Sequence, residues 1–430
     1  MRLDKRANGV ELGLWLGGMA GLAVAAALAC SDSGDDNPEA PDEAAAGADG
    51  QVSSGSAGSS ATGGTAGNAT VPGVTATCKS DAATAANTAA VVTAANALLA
   101  ALTTEQRTAI AYDKTLANAE QWSNFPTTFV QRNGVRIGDM STAAQAAAVA
   151  LANVAAGEAG GTLLDELREA DEFLVTDGNA SSTDYGRGLF YFSIHGTPST
   201  SAGWMLQVAG HHLAYNITYN GRCTSATPLF DGAEPMDWTD TDGVEHSPLE
   251  GQRSAMVELL ASVGSLSGAQ LSGTFGDLVN GPAGGGPGAG GPGGGTPGGN
   301  TSTGGGDTKY PSSLTYPTGT TGRGAAVSSF SDEQKQLVKA AIEAWAQNVA
   351  GSVSSALLGE YESDAALAET YVGYSGAADL STRSSYVRID GPRVWIEATV
   401  QGGIIYQDVV HWHTIWRDKI ADYGAEYVSQ

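Results

Sequence analysis

Five of the six histidines fall into three short stretches of this chain. His211 and His212 are adjacent, His411 and His413 flank Trp412, and His195 lies in Phe192-Ser193-Ile194-His195-Gly196. Imidazole is the commonest neutral metal ligand and the one side chain that titrates near neutrality. Two apart on a strand, His411 and His413 share a face. Adjacent His211 and His212 point opposite ways unless a bulge intervenes, so one of the two is expected to join them. Three imidazoles, or two with a carboxylate such as Glu397, make a site for a divalent metal such as zinc, with a coordination position left open. Water on such an ion becomes hydroxide near neutral pH, and Glu397 or Asp418 is the expected catalytic carboxylate, with Glu234 a further candidate. The expectation is a metal-dependent hydrolase.

Two other readings stay open. Histidines in an aromatic strand beside Trp412 and Trp416 also serve as hydrogen-bonded core groups, and Arg417-Asp418 as a structural ion pair. The protein is then a non-catalytic binding domain, with Trp204, Trp238, Trp395, Trp412 and Trp416 either holding a partner or packing the core. Metal-free acid–base chemistry is the third reading. Other chemistries have less support. Ser193 and Ser199 lack a Gly-x-Ser-x-Gly setting, and the glycine run from 281 to 306 lacks the Lys-Ser/Thr of a phosphate loop.

The N-terminus reads as an export signal. Arg2, Lys5 and Arg6 precede an uncharged apolar run from Gly13 to Ala29, which ends in Ala27-Leu28-Ala29-Cys30. Small residues leading to a cysteine resemble a bacterial lipobox, in which Cys30 is acylated; the alternative is an ordinary cleaved signal. Ser31, standing where an aspartate favours inner-membrane retention in some bacteria, points to the outer membrane, so the expected compartment is the cell envelope. Three cysteines are an odd number for an exported chain; with Cys30 lipidated, Cys78 and Cys223 are left to pair, or to remain as two buried thiols. Residues 30–74 are acidic, then Gly/Ser-rich, and read as a disordered tether after a 1–29 signal peptide. A net charge of −25 argues against nucleic-acid binding and against docking on anionic lipid, so the expected membrane contact is the lipid alone.

Residues 75–430 read as one globular domain with a flexible insertion at 281–306; a domain boundary at that insertion is the rival. Capping-box patterns at Thr103-Thr104-Glu105-Gln106, Thr142-Ala143-Ala144-Gln145, Ser267-Gly268-Ala269-Gln270 and Ser331-Asp332-Glu333-Gln334 announce helices. Their irregular spacing excludes a simple repeat array. Helical patterns also fit 80–101, 141–156, 160–173 and 251–263. Leu189 to Ile194, Trp204 to Tyr219, Tyr386 to Asp390, Val394 to Val400 and Ile404 to Ile415 read as strands, with a hairpin at Gly391-Pro392-Arg393. The expected class is α+β, a mainly antiparallel sheet packed by amphipathic helices.

Several segments resemble the bacterial family known as domain of unknown function 3500: Tyr191 to Ser199, Gly210-His211-His212-Leu213, Thr227 to Pro235, Arg388 to Glu397 and His411 to Asp418. The resemblance covers about residues 85 to 425. It implies one domain holding both histidine motifs and carries no catalytic roles, because the family has no established activity.

Overall fold

The computed structural model describes residues 82–220, 223–272 and 316–424. The signal, Cys30, the tether, Cys78 and the glycine-rich run lie outside the described residues, and with them the expected lipid attachment and the Cys78–Cys223 pair.

The α+β expectation holds: twelve strands form one mainly antiparallel sheet. Eight of them build its body. They are β1 (Tyr191–His195), β2 (Gly203–Gly210), β3 (Leu213–Asn220), β4 (Leu229–Ala233), β5 (Tyr371–Ser375), β6 (Tyr386–Asp390), β7 (Val394–Gly402) and β8 (Val410–Asp418). Their spatial order is β1-β2-β3-β4-β8-β7-β6-β5, so two four-strand halves meet at the antiparallel β4–β8 pair.

The halves repeat one plan. Each starts with a left-handed glycine, Gly134 or Gly324, where an added Cβ would stand 2.0 or 2.2 Å from a backbone carbonyl. A two-residue strand follows, then a 3-10 turn, then a serine-capped helix. These helices are Thr142–Thr176, capped by Ser141, and Asp332–Ala346, capped by Ser331. Such a cap contributes about 1 kcal/mol. A second helix packs on each, Ala82–Ala101 on the first and Glu250–Val263 on the second. The repeat shows in elements some 180–190 residues apart in the chain, too far apart for helix starts alone to reveal it.

Helices cover one sheet face and form the larger core, with Leu206, Val208, Leu213, Tyr215, Ile396, Val400, Trp412 and Trp416 supplied by the strands. A smaller cluster, Trp122, Met205, Phe230, Ile415 and Tyr423, lies on the other face. There the Trp122 indole donates to the Tyr423 hydroxyl at 2.7 Å.

Four expectations need correction. The helix expected from a box at Thr142 is capped by Ser141 instead, and the strand expected from Ile404 begins at Val410, after a turn. Trp204 to Tyr219 is two strands, because the chain reverses at His211-His212, where His212 takes a left-handed φ of 60°. Ser267 caps no helix; the chain turns there and Gln270 bridges to Tyr374 in parallel. The two helical patterns at 141–156 and 160–173 are borne out: the backbone leaves helical geometry at left-handed Gly157, φ 74°, which divides the Thr142–Thr176 span into two helices meeting at a kink.

Candidate metal centre

The β2–β3 turn and the first residues of β8 meet at one end of the sheet. His413 pairs with Gly232 of β4 and Thr399 of β7, so its ring rises beside a residue with no side chain. A Cβ on Gly232 would sit 3.1 Å from Cδ2 of His413 and 3.2 Å from Cδ2 of His212. The glycine makes room for both rings. The turn is fixed by its backbone: the Gly232 amide donates to the His212 carbonyl at 2.9 Å, and the His212 amide to the Asn124 carbonyl at 3.3 Å. Buried Arg132 donates to the carbonyls of Ser123 and Gly210, clamping the 123–132 loop against the same turn.

Three imidazoles converge. Nε2 of His413 lies 3.1 Å from Nε2 of His411 and 3.2 Å from Nε2 of His212, and one nitrogen from each ring falls within 4.8 Å of the others. A ring nitrogen carries either a proton or a lone pair. His413 Nε2 can therefore make only one good hydrogen bond of the two. Three lone pairs around a cation fit the spacing better: nitrogens roughly 2 Å from a tetrahedral zinc stand about 3.3 Å apart.

The rings are held neutral. Burial pushes His212 well below the usual histidine range, with the charges of His211, His413 and His411 adding to the effect. Burial does the same to His413, reinforced by His411 and His211. His411 is lowered to about 3, by burial first and then His211, against the opposing Gly402 carbonyl. Neutral imidazole is the form that ligates. With exposures of 6, 2 and 5 % for His212, His411 and His413, the centre is covered but not sealed.

His211 is the expected ligand that the geometry sets apart. Its ring stacks on His212 at 3.7 Å between centroids, while its Nδ1 bonds Oδ1 of Asp171 at 2.6 Å. Of the adjacent pair one joins the cluster, but not by strand alternation: the two residues form the turn, their rings stack on the same side, and the bond to Asp171 holds His211 apart.

The expected carboxylates are engaged elsewhere. Asp418 lies on the opposite face of β8 from His411 and His413, accepting from Tyr361 at 3.0 Å and from Arg393. That is a buried ion pair, and the catalytic expectation for Asp418 is corrected. Glu397 shares the histidines' face but lies opposite Ile415, and its carboxylate accepts the Tyr386 hydroxyl at 2.5 Å. The group of potential ligand atoms found among the described residues holds His212, His411 and His413 and does not include Glu397. Glu234 accepts from the backbone amides of Ile405 and Tyr406 at 2.6 and 2.9 Å, pinning the β7–β8 loop next to His411. His195, in β1, bonds Ser193 at 2.9 Å and stands outside the cluster.

Sequence reasoning missed Asp171. It sits in the second-last turn of the Thr142–Thr176 span, and the signal that sets it apart from Asp165, Glu166, Glu169 and Glu172 is spacing: Leu164, Leu167, Asp171 and Leu174 recur every three or four residues, so this acid stands on the buried stripe.

The family described as protein of unknown function, DUF3500, matches residues 84–425. No curated protein and no solved structure matches the chain.

Proposed function

The chain belongs to the DUF3500 family of unknown function, and we propose that its histidine centre binds a divalent transition metal and supports hydrolysis. The convergence of three Nε2 atoms from His212, His411 and His413 carries the reading. His212, His411 and His413 would hold such an ion through their Nε2 atoms, and the ion would supply activation of water toward a carbonyl or phosphoryl centre at neutral pH. The N-terminal basic start, apolar run and Cys30 support attachment of this domain to the cell envelope by lipid, and radiolabelled palmitate incorporation that is lost in Cys30→Ala tests that part.

Elemental analysis of protein purified without a polyhistidine tag tests the centre. About one zinc-type ion per chain, absent from a His411→Ala/His413→Ala variant, is the expected result; metal-free protein with unchanged stability in chelator ends the reading. Hydrolysis is tested with nitrophenyl ester and phosphoester probes, whose turnover should stop in chelator. The near-complete burial of the three rings favours a second reading, a closed structural metal site in a binding domain. In that case the ion is retained, no probe is turned over, and the cobalt-substituted spectrum does not respond to added phosphate.

A further inference from the structure

His211 is held on three sides. Its Nδ1 faces Asp171 at 2.6 Å, its ring and that of Tyr185 form a T-shaped pair with centroids 4.9 Å apart, and it stacks on His212 with centroids 3.7 Å apart. Asp171 is itself fixed, because its second oxygen accepts the Gly186 amide at 3.0 Å. Both residues are buried, Asp171 at 2 % and His211 at 6 % exposure. A carboxylate accepts and cannot donate, so Nδ1 of His211 carries the hydrogen of this bond. Its Nε2 makes no hydrogen bond among the described residues.

We propose that Asp171 is a positioning residue for the histidine centre, acting through His211. It fixes the orientation and tautomer of His211, whose stacked ring holds His212 in the plane that aims its Nε2 at the other two imidazoles. The inference rests on the metal-binding reading above. Its reach is through packing: His212 has a strained left-handed backbone, a conformation that persists only where its surroundings over-determine it. The stack against His211 is one of those surroundings.

The test is zinc titration against a competing chelator with untagged wild type, Asp171→Asn, Asp171→Ala, His211→Ala and the Asp171→Ala/His211→Ala double variant. Each single variant should weaken zinc binding by roughly ten- to a hundred-fold, the range for groups that orient ligands. The double variant should bind as His211→Ala does, because Asp171 acts only through that ring. Nitrogen-15 spectra should show His211 protonated on Nδ1 in wild type and shifted away from that tautomer in Asp171→Asn. Where Asp171→Ala fails to fold, Asp171→Asn, alone and combined with His211→Ala, carries the cycle. Additive losses in the double variant, or unchanged affinity in a folded Asp171→Ala, overturn the inference and leave the metal reading standing. Wild type that takes up no zinc overturns the metal reading first, and this inference with it.

Discussion

Thr414 donates its hydroxyl to Oδ1 of Asp231 at 2.8 Å, on the helix-covered face, with His413 and Gly232 the next residues along their strands. The Trp345 indole donates to the same hydroxyl at 2.7 Å, and Gln252 donates to Oδ2 of Asp231 at 3.0 Å. Two helices are thus tied to the backbone that carries the histidine cluster. Burial raises Asp231 to about 6, against the opposing bonds from Gln252 and Thr414. Between about pH 4 and 6 the folded state holds a proton that the unfolded state has released, so stability falls as pH rises through that window. The loss approaches 3 kcal/mol at about 1.4 kcal/mol per pH unit. Urea unfolding of Asp231→Asn should lack this component, and a pH profile parallel to wild type would contradict it.

His195 should behave with the opposite sign. Burial lowers it to about 4, so between about pH 4 and 6.5 the unfolded state alone takes the proton, and wild-type stability falls as pH drops. The stability gap between wild type and His195→Gln should therefore narrow by about 2 kcal/mol from pH 7 to pH 5. A constant gap would show that His195 titrates alike in both states.

Gly232→Ala should loosen the centre without dismantling the fold. Its methyl would stand 2.9 Å from the Trp412 carbonyl and little farther from the His413 and His212 rings. Overpacking of this kind costs about 1–3 kcal/mol, and ring displacement should weaken zinc binding by at least ten-fold, as angles at a tetrahedral ion are strict. Chelator competition reads it; wild-type affinity in the folded variant would argue that the rings do not ligate.

Bound metal should raise thermal stability, since the centre is assembled only in the folded chain. At a free zinc concentration about a hundred-fold above the dissociation constant, the gain is about 2.7 kcal/mol. Calorimetry of wild type and His413→Ala with and without zinc separates this from nonspecific effects: the variant should show no shift.

Much of this was readable beforehand, and the parts that were not have identifiable causes. Capping boxes at Thr103 and Ser331 form as their residues indicate, because both reciprocal bonds are local. The hairpin at Gly391-Pro392-Arg393 and the shared face of His411 and His413 follow from strand alternation. That alternation also separates Asp418 from His413, five residues apart and hence on opposite faces, so its misassignment was avoidable. The reversal at His211-His212 was hidden, because histidine gives no turn signal and the left-handed conformation is imposed by Gly232, Asn124 and the neighbouring rings. The partner of Asp171 and the placement of Glu397 depend on which helix covers which strand, and on register, which are long-range outcomes of packing.

The ligands come from both repeats of the architecture: His212 from the turn between β2 and β3, His411 and His413 from β8. Neither repeat by itself owns a complete coordination set. An ion held there would act as a rivet across the central seam, and its uptake would report that the two arms of the molecule have closed on each other. Complementing fragments divided between the repeats should accordingly gain high-affinity zinc only upon mixing.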